Sequence, residues 1–279
     1  MGVDTNGDIY FFSGTTDGNP PMMNADPKLG LVTTNYVRIP TKMPIHDLHD
    51  QEDQFDIDVN GFEVMNYDGK VHNRFDKNSD EQKCLYEETA NILTNRLGAS
   101  RVIVFMHVIR SRGPFRPGDE CDQYNKNPVF YPHVDNDPIS ARFKVEEVVG
   151  KEEAMKILKN RFQIINTWRP LGSNPIINIP LSICDYQTID TKNDIHLSDT
   201  QGSANTTSVY NISKSINSQQ KWYYLRNMKS NEMLVFKIFD SNPSVARFGA
   251  HTAFIDENAP KNNVEQSSIE MRCLVVYDQ

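Results

Sequence analysis

The sequence lacks a long apolar run, an excess of positive charge and a closely spaced cysteine pair. Its longest apolar stretches, such as residues 102–106, fall far short of the roughly 18 residues that cross a bilayer. With 29 Lys and Arg against 37 Asp and Glu, the formal charge is −8, which argues against a nucleic-acid-binding surface. We therefore expect a protein that acts on neither nucleic acid nor a membrane.

The four cysteines and the N-terminus indicate the compartment. Cys84, Cys121, Cys184 and Cys273 are widely spaced and form no CxxC pair, so neither a structural zinc site nor a set of disulfides is predicted. The first residues carry acidic side chains where a secretory signal would have basic and then apolar ones. The sequence therefore predicts a reduced, cytoplasmic protein.

Many short segments rich in β-branched and aromatic residues follow one another with few helices between them. This pattern indicates a mainly β protein with a closed or double-sheet architecture. We expect one domain over residues 1–279, with an N-terminal strand-and-helix extension at 1–100 and a β core at 101–279. A polar stretch at about 188–220 is rich in Ser, Asn, Thr and Asp, and it is predicted to form a lid or flexible loop.

Local signals predict several individual elements. Residues 79–97 have helical spacing, with Ser79 as N-cap and Gly98 as the stop. Asn60-Gly61 stands between two alternating runs, 55–59 and 62–66, which predicts a hairpin with a type I′ turn. Further helices are expected at 138–149 and 152–161, and a mobile loop at 113–127.

One short segment carries the chemistry of a metal site. In a strand, His133 and Asp135 project to the same side, with Tyr131 beside them. An imidazole and a carboxylate are two parts of the facial triad that binds Fe(II), and a second histidine must complete it. His251, on a probable later strand, is the candidate, although a histidine of the core or the surface is an equally good interpretation of its spacing alone.

Six segments occur in a recognisable order, and together they resemble the fungal hydroxylase/desaturase family of Fe(II)/2-oxoglutarate-dependent oxygenases. This family includes the aspergillic-acid hydroxylase and the gibberellin desaturase, and it is related to the cephamycin methoxylation component. The resemblance extends over roughly residues 30–277. The segments are Asn166-Thr-Trp-Arg-Pro-Leu171, Pro180-Leu-Ser-Ile-Cys-Asp185, Lys221-Trp-Tyr-Tyr224, Glu232-Met-Leu-Val-Phe-Lys-Ile-Phe-Asp-Ser241, Ala246-Arg-Phe-Gly-Ala-His-Thr-Ala-Phe254 and Ser268-Ile-Glu-Met-Arg272.

The resemblance implies a double-stranded β-helix, a cupin-like jelly roll, with flanking α-helices. It also implies an enzyme that uses Fe(II), 2-oxoglutarate and O2 to hydroxylate or desaturate a small secondary metabolite, with release of succinate and CO2. Carried over residue by residue, it makes His133, Asp135 and His251 the metal ligands and catalytic residues.

One position departs from the family pattern. Where related oxygenases have an Arg-x-Ser pair that binds the far carboxylate of 2-oxoglutarate, this sequence has Gln266 and Ser268. Glutamine cannot form the bidentate, charge-assisted pair that arginine offers. We therefore expect another cation to take part with Ser268, and the candidates are Arg272, Arg247 and Arg169, each of which could instead form a structural ion pair.

Aromatic residues complete the predicted site. Tyr131 is expected beside the cofactor because it shares the parity of His133, whereas Trp168, Trp222 and Tyr224 are expected to line the substrate pocket or else to pack in the core. Two other classes of protein stay open, a non-redox metal-dependent cupin enzyme such as an isomerase or epimerase, and an accessory binding protein of a biosynthetic pathway. A small-molecule substrate is the expected partner, with homodimerisation left open.

Overall fold

The computed structural model describes residues 2–26, 31–112, 125–201, 207–217, 219–260 and 265–278. Most of the loop predicted at 113–127, and Cys121 with it, lies outside these ranges. Two single-turn 3-10 helices, Glu52–Gln54 and Tyr186–Thr188, accompany the regular elements. In chain order these are β1 (Thr5–Thr15), β2 (Met22–Asp26), β3 (Leu31–Thr34), β4 (Tyr36–Asp47), α1 (Ile57–Asn60), β5 (Phe62–Asn66), α2 (Asp80–Leu97), β6 (Arg101–Arg112), β7 (His133–Val134), α3 (Pro138–Val149), α4 (Lys151–Ile157), β8 (Phe162–Leu171), β9 (Leu181–Cys184), β10 (Ile195–Gln201), β11 (Thr207–Ile212), β12 (Trp222–Tyr224), β13 (Glu232–Asp240), β14 (His251–Ala253) and β15 (Gln266–Val276).

Two sheets face each other. The large sheet has the order β1-β4-β12-β9-β14-β7-β11-β10-β2-β3, and the small sheet has the order β5-β13-β8-β15-β6. Both sheets are mainly antiparallel, and the crossovers between them produce a jelly roll, as the resemblance implies. The large sheet curls, so that β1 near one end also contacts β11 near the other.

The longest helix, α2, covers the outer face of the small sheet. It begins at its predicted cap, since the Ser79 hydroxyl accepts a hydrogen bond from the backbone N–H of Gln82. It ends at Gly98, whose φ of 60° lies in the left-handed region. Leu85 and Leu93 are completely buried against Ile165 and Met271 of the sheet. The prediction for residues 79–98 is confirmed.

The predicted hairpin around Asn60-Gly61 is wrong in its first half. Residues 57–60 form the short helix α1, because the Asp56 carboxylate accepts a hydrogen bond from the N–H of Asp58 and caps it. Gly61, with a φ of 82°, ends this helix instead of forming a hairpin turn. A Cβ atom at Gly61 would collide with the backbone carbonyl of Phe248, so the position requires glycine for two reasons.

The N-terminal extension and the polar segment both contribute strands to the large sheet. Strand β1 pairs with β4, and β4 pairs in parallel with β12 of the core. Within the predicted lid at 188–220, the described residues include β10 and β11, which pair with each other and extend the sheet from β7. The polar composition arises because β10 exposes alternate side chains.

A single register row crosses the large sheet and positions the predicted metal ligands. His251 of β14 lies directly opposite both Ile183 of β9 and His133 of β7. His133 lies opposite Asn211 of β11, which in turn lies opposite His196 of β10. Directly paired residues project to the same face of a sheet, so all five side chains point into the jelly roll.

Candidate metal centre

His133, Asp135 and His251 come together at the inner face of the large sheet. One ligand atom from each lies within 4.8 Å of the other two. Nε2 of His133 is 3.8 Å from Asp135 Oδ1, and Nε2 of His251 is 3.9 Å from Asp135 Oδ2. These separations exceed hydrogen-bonding distance, and they suit three ligands around one ion.

Hydrogen bonds to the backbone orient both imidazole rings. His133 donates from Nδ1 to the carbonyl of Tyr131 at 2.9 Å, and His251 donates from Nδ1 to the carbonyl of Gly249 at 3.2 Å. Each bond fixes the proton on Nδ1 and directs the unprotonated Nε2 toward Asp135. Burial, reinforced by the neighbouring His251, lowers the pKa of His133 to about 3, so this ligand is neutral at physiological pH. The donor set therefore fits a divalent transition metal such as Fe(II).

Two side chains from the small sheet hold the carboxylate of Asp135. Arg272 of β15 donates to Oδ1 at 2.8 Å, and Asn166 of β8 donates to Oδ2 at 3.1 Å. Burial alone would raise the pKa of Asp135, but Arg272 and the other basic side chains around the carboxylate together outweigh it and keep the pKa below its ordinary value. Asp135 is therefore an anion whose orientation is set by two neighbouring strands.

A small cavity adjoins the triad and carries charge of both signs. Arg110 of β6 and Glu270 of β15 line it, together with Trp168 of β8 and both histidines. Arg110 donates to the carbonyl of Asn127 at 2.7 Å. Sequence reasoning missed Arg110, Asn166 and Glu270, because their inward direction follows from the pairing of β6, β15 and β8, and this register is not visible in the local pattern.

Among the proposed co-substrate residues, the structure brings two from β15 to the inner face. Ser268 and Arg272 have the same parity as Glu270 and point inward. The Nη2 atom of Arg272 is 3.4 Å from Glu270 Oε1, and its Nε–H is buried without a partner among the described residues. Arg272 thus stands beside the triad with one donor unused.

The predictions for Arg169 and Arg247 are corrected by their surroundings. Arg169 points to the outer face of the small sheet, where its guanidinium stacks on Tyr67 at 3.8 Å and donates to the carbonyl of Val71. Arg247 lies over Phe239 near the end of β13. The structure brings neither cation to the triad.

Gln266 binds the backbone of a neighbouring loop. Its Oε1 accepts a hydrogen bond from the backbone N–H of Ile177 at 2.7 Å. Its Nε2 is buried and has no partner in the part of the chain that the structure describes. The amide therefore fixes a neighbouring loop at the place where related oxygenases have an arginine.

Of the three aromatic residues predicted to line the substrate pocket, only Trp168 faces the cavity. Trp222 and Tyr224 flank Tyr223, which pairs with Ile183 in the row of His251, so they project to the opposite face of the large sheet. There Trp222 packs edge-on against Phe11. The prediction that Trp222 and Tyr224 line the substrate pocket is therefore wrong. The parity of β12 could not be read from its sequence, because three consecutive aromatic residues show no alternation.

Tyr131 lies where its parity with His133 predicts. The centroids of the two rings are 5.2 Å apart. Burial raises the pKa of the Tyr131 phenol, which therefore stays protonated. On its other side, Tyr131 faces the guanidinium of Arg38, whose central carbon is 3.9 Å from the tyrosine ring centroid.

The helices are short or polar. None of those in the described ranges is long and apolar enough to cross a membrane.

Sequence comparisons relate the chain to fungal oxidoreductases. The model of a family described as Oxidoreductase/YMDC permease-like domain matches residues 9–276. The Fe(II)/2-oxoglutarate-dependent dioxygenase nvfI of Aspergillus novofumigatus is 28% identical over 253 residues, which cover 89% of this chain and 88% of the relative. The hydroxylase/desaturase efuI of Hormonema carpetanum is 28% identical over 252 residues, covering 84% and 83%.

Solved structures give the same relationship. A variant of the iron and alpha-ketoglutarate-dependent endoperoxidase NvfI superimposes with a TM-score of 0.82 and 25% identity, over 99% of this chain and 98% of the other. Another structure of NvfI gives a TM-score of 0.79 at 25% identity and 99% coverage of both chains. The predicted jelly roll is therefore confirmed by solved relatives as well as by its own topology.

Proposed function

The chain belongs to the family described as Oxidoreductase/YMDC permease-like domain, and we propose that, as an Fe(II)- and 2-oxoglutarate-dependent oxygenase, it holds its iron with His133, Asp135 and His251. The observation that carries this proposal is the convergence of their three ligand atoms within 4.8 Å. The Nδ1 hydrogen bonds of both histidines leave Nε2 available for the ion.

The co-substrate requires cations near the triad, because 2-oxoglutarate carries two carboxylates. Arg110 and Arg272 are cations of the small sheet beside the triad, and we assign the carboxylates to them, together with Ser268, which lies directly opposite Arg110 on the inner face. The unused Nε–H of Arg272 is a buried donor, which a carboxylate oxygen would satisfy. Glu270 is held by Arg272 and balances part of this positive charge.

When bound, Fe(II) with 2-oxoglutarate and O2 supplies the oxidising chemistry that hydroxylates or desaturates a small molecule and releases succinate and CO2. The chain's own residues exclude water and fix the ligands. Trp168 and Leu181 form apolar walls of the cavity, and the ring of Phe236 packs 4.7 Å from that of His251. Asn166 and Arg272 restrain Asp135, so the carboxylate is pre-organised before a metal arrives.

The organisation of the chain and its partners stay predictions. We propose a single oxygenase domain over residues 1–279, in which the extension at 1–100 contributes strands to both sheets of the core at 101–279. The segment at 188–220 contributes β10 and β11 to that sheet, and a lid role for its remaining residues belongs to the proposal. The substrate is a small molecule, while cytoplasmic location and homodimerisation stay predictions.

An anaerobic titration tests the proposed function. Addition of Fe(II) and then 2-oxoglutarate to the metal-free protein should produce the weak visible charge-transfer band of a chelated keto acid, and the band should saturate at about one equivalent of iron. His251→Ala should abolish the band, while His46→Ala, which changes a half-buried histidine paired with Asp4, should keep it. A wild-type protein that binds iron but shows no band would contradict the oxygenase and favour the non-redox or accessory alternatives.

A further inference from the structure

A group of side chains extends from the triad along the inner face of the large sheet toward the solvent. Arg38 stacks on Tyr131 at 3.9 Å and lies 4.8 Å from the ring centroid of Tyr36. Tyr36 contacts Phe12 edge-on at 5.9 Å, and Phe12 packs 4.8 Å from His196. We call these five residues the Arg38 cluster. Tyr131 connects the cluster to the metal centre, since its ring contacts that of His133.

The row of register-paired residues closes this group into a ring. Asn211 stands between His133 and His196 on neighbouring strands, with its side chain on the same face. The contacts therefore run from His133 through Tyr131 and Arg38 to His196, and return through Asn211. The ring adjoins the proposed iron site at His133.

Polar atoms with no partner are concentrated on this ring. Nε and Nη2 of Arg38, Nε2 of His196 and Nδ2 of Asn211 are all buried and lack a hydrogen bond within the described ranges. A buried polar atom without a partner is unfavourable, so the presence of four such atoms on one ring favours a ligand that satisfies them. Their concentration indicates a binding site and not a set of unrelated defects.

The two free donors of Arg38 have a specific geometry. Nε–H and the nearer N–H of Nη2 point in parallel from one edge of the planar guanidinium, and this edge matches the two oxygens of a carboxylate. Arg38 forms no ion pair with a carboxylate of the described residues, and its neighbours are the faces of two tyrosines. We propose that Arg38 binds a carboxylate of the oxygenase substrate.

The surroundings of Arg38 determine the rest of the ligand. A surface pocket beside Arg38 and Tyr131 is lined by Tyr10, Phe130 and Ile255, which are all apolar or aromatic. The substrate class is therefore an apolar, ring-containing acid, with its carboxylate on Arg38 and its carbon skeleton directed past Tyr131 toward His133. Arg110 and Arg272 already stand at the triad for 2-oxoglutarate, so the carboxylate at Arg38 is assigned to the substrate.

This inference rests on the proposed function for the identity of the reaction, but its binding step can be tested alone. Isothermal titration calorimetry of the Fe(II)-loaded, anaerobic protein would use two probes, dehydroabietate and cyclohexanecarboxylate, each compared with its neutral amide. The wild type should bind at least one acid about tenfold more tightly than the amide. Arg38→Gln should remove this preference, and Arg38→Lys should retain only part of it because lysine lacks the parallel donors.

Arg101→Gln is the matched control, because it removes an arginine from β6 that pairs with Glu153 at the surface. It should keep the preference for the acid, and thermal denaturation would verify that all variants fold. Equal binding of acid and amide by the wild type, for both probes, would overturn the proposal. The same preference in folded Arg38→Gln would overturn it as well.

A second arm separates the substrate from the co-substrate as the source of the carboxylate. The charge-transfer band gives the concentration of 2-oxoglutarate at half-saturation, which should differ by less than about twofold between wild type and Arg38→Gln. A rise of about tenfold or more would assign Arg38 to 2-oxoglutarate and overturn the proposal. Absence of the band from the wild type would instead contradict the proposed function, while the calorimetric comparison would still decide whether Arg38 binds an acid.

Discussion

At the scale of single residues, Asp135 depends most on its neighbours. It directly follows β7 of the large sheet, yet its two oxygens are held by Asn166 and Arg272 of the small sheet. The two histidines are instead fixed by backbone carbonyls of their own segments. Loss of a carboxylate restraint should therefore weaken the metal site without altering either histidine.

Asn166→Ala tests this dependence. It removes the hydrogen bond to Asp135 Oδ2, so the dissociation constant for Fe(II) should rise about 10-fold or more, the usual effect of losing such a support. Anaerobic competition with a chromogenic chelator would measure it. Thr167→Val is the control, because this adjacent, buried residue faces the other side of the strand. An unchanged constant in Asn166→Ala, or an equal rise in both variants, would contradict the assignment.

The residue scale also shows where sequence analysis succeeds and fails. His133 and Asp135 could be paired because the sequence predicts a strand in which they are two apart; β7 in fact ends at Val134, and Asp135 follows it directly. The structure brings His251 to them. Arg110 and Asn166 could not be found in the same way. Their inward orientation depends on pairing between strands that are distant in sequence, and no local pattern encodes that register.

At the scale of elements, local sequence signals predict the bounds of the long helix better than they predict the strands. Ser79 and Gly98 delimit α2 correctly, since capping acts within one turn of chain. The sequence Asp56 to Gly61 supports both a hairpin and a capped helical turn, and the close approach of Phe248 to Gly61 is a tertiary contact. Similarly, the polar composition at 188–220 suggested a loop, although β10 and β11 are strands with alternately exposed positions.

His49 joins the two sheets electrostatically, just beyond the end of β4. Its Nδ1 is 2.8 Å from Asp47 Oδ1 and its Nε2 is 3.0 Å from Glu232 Oε1, at the start of β13. The hydrogen bonds to Asp47 and Glu232 raise the pKa of His49 to about 10. An unfolded histidine titrates near pH 6.5, so the bridge stabilises the fold fully below about pH 6.5 and loses its contribution as the pH rises toward about 10.

The pH dependence of stability in His49→Gln should therefore differ from that of the wild type. Urea unfolding at about pH 6.5 and about pH 10 gives the loss of stability on deprotonation for each protein. The wild type should lose more than His49→Gln, because only the wild type has a bridge to break. Glu232→Gln, which removes one carboxylate of the bridge, should likewise lose less stability than the wild type between these two pH values. Identical losses in all three proteins would contradict the bridge.

At the scale of the whole molecule, a buried charge network ties the small sheet to the segment that leads into His251. Lys237 of β13 is completely buried. Its Nζ lies 2.6 Å from Asp58, 2.7 Å from Asp240 and 2.8 Å from the carbonyl of Ala246. Gly249 donates its backbone N–H to the carbonyl of the same lysine. The network therefore connects α1, β13 and the residues before β14.

Lys237→Met should lower the free energy of unfolding by about 3–5 kcal/mol, because Asp240 would stay buried with a partner missing. Urea denaturation would measure the change. Lys229→Met, at an exposed position of the adjoining turn, should alter stability by less than about 0.5 kcal/mol. A small effect of Lys237→Met would mean that Arg161, which also pairs with Asp240, suffices to neutralise it.

The direct opposition of His133 and His251 also determines where the chain tolerates a change of length. Side chains alternate between the faces of a sheet, so loss or gain of one residue within β7 or β14 turns a histidine to the opposite face. A gain or loss of residues between β14 and β15 moves neither histidine out of register. In descendants of this gene, insertions and deletions should therefore accumulate in the connections and be eliminated from these two short strands, although such strands contribute little to stability.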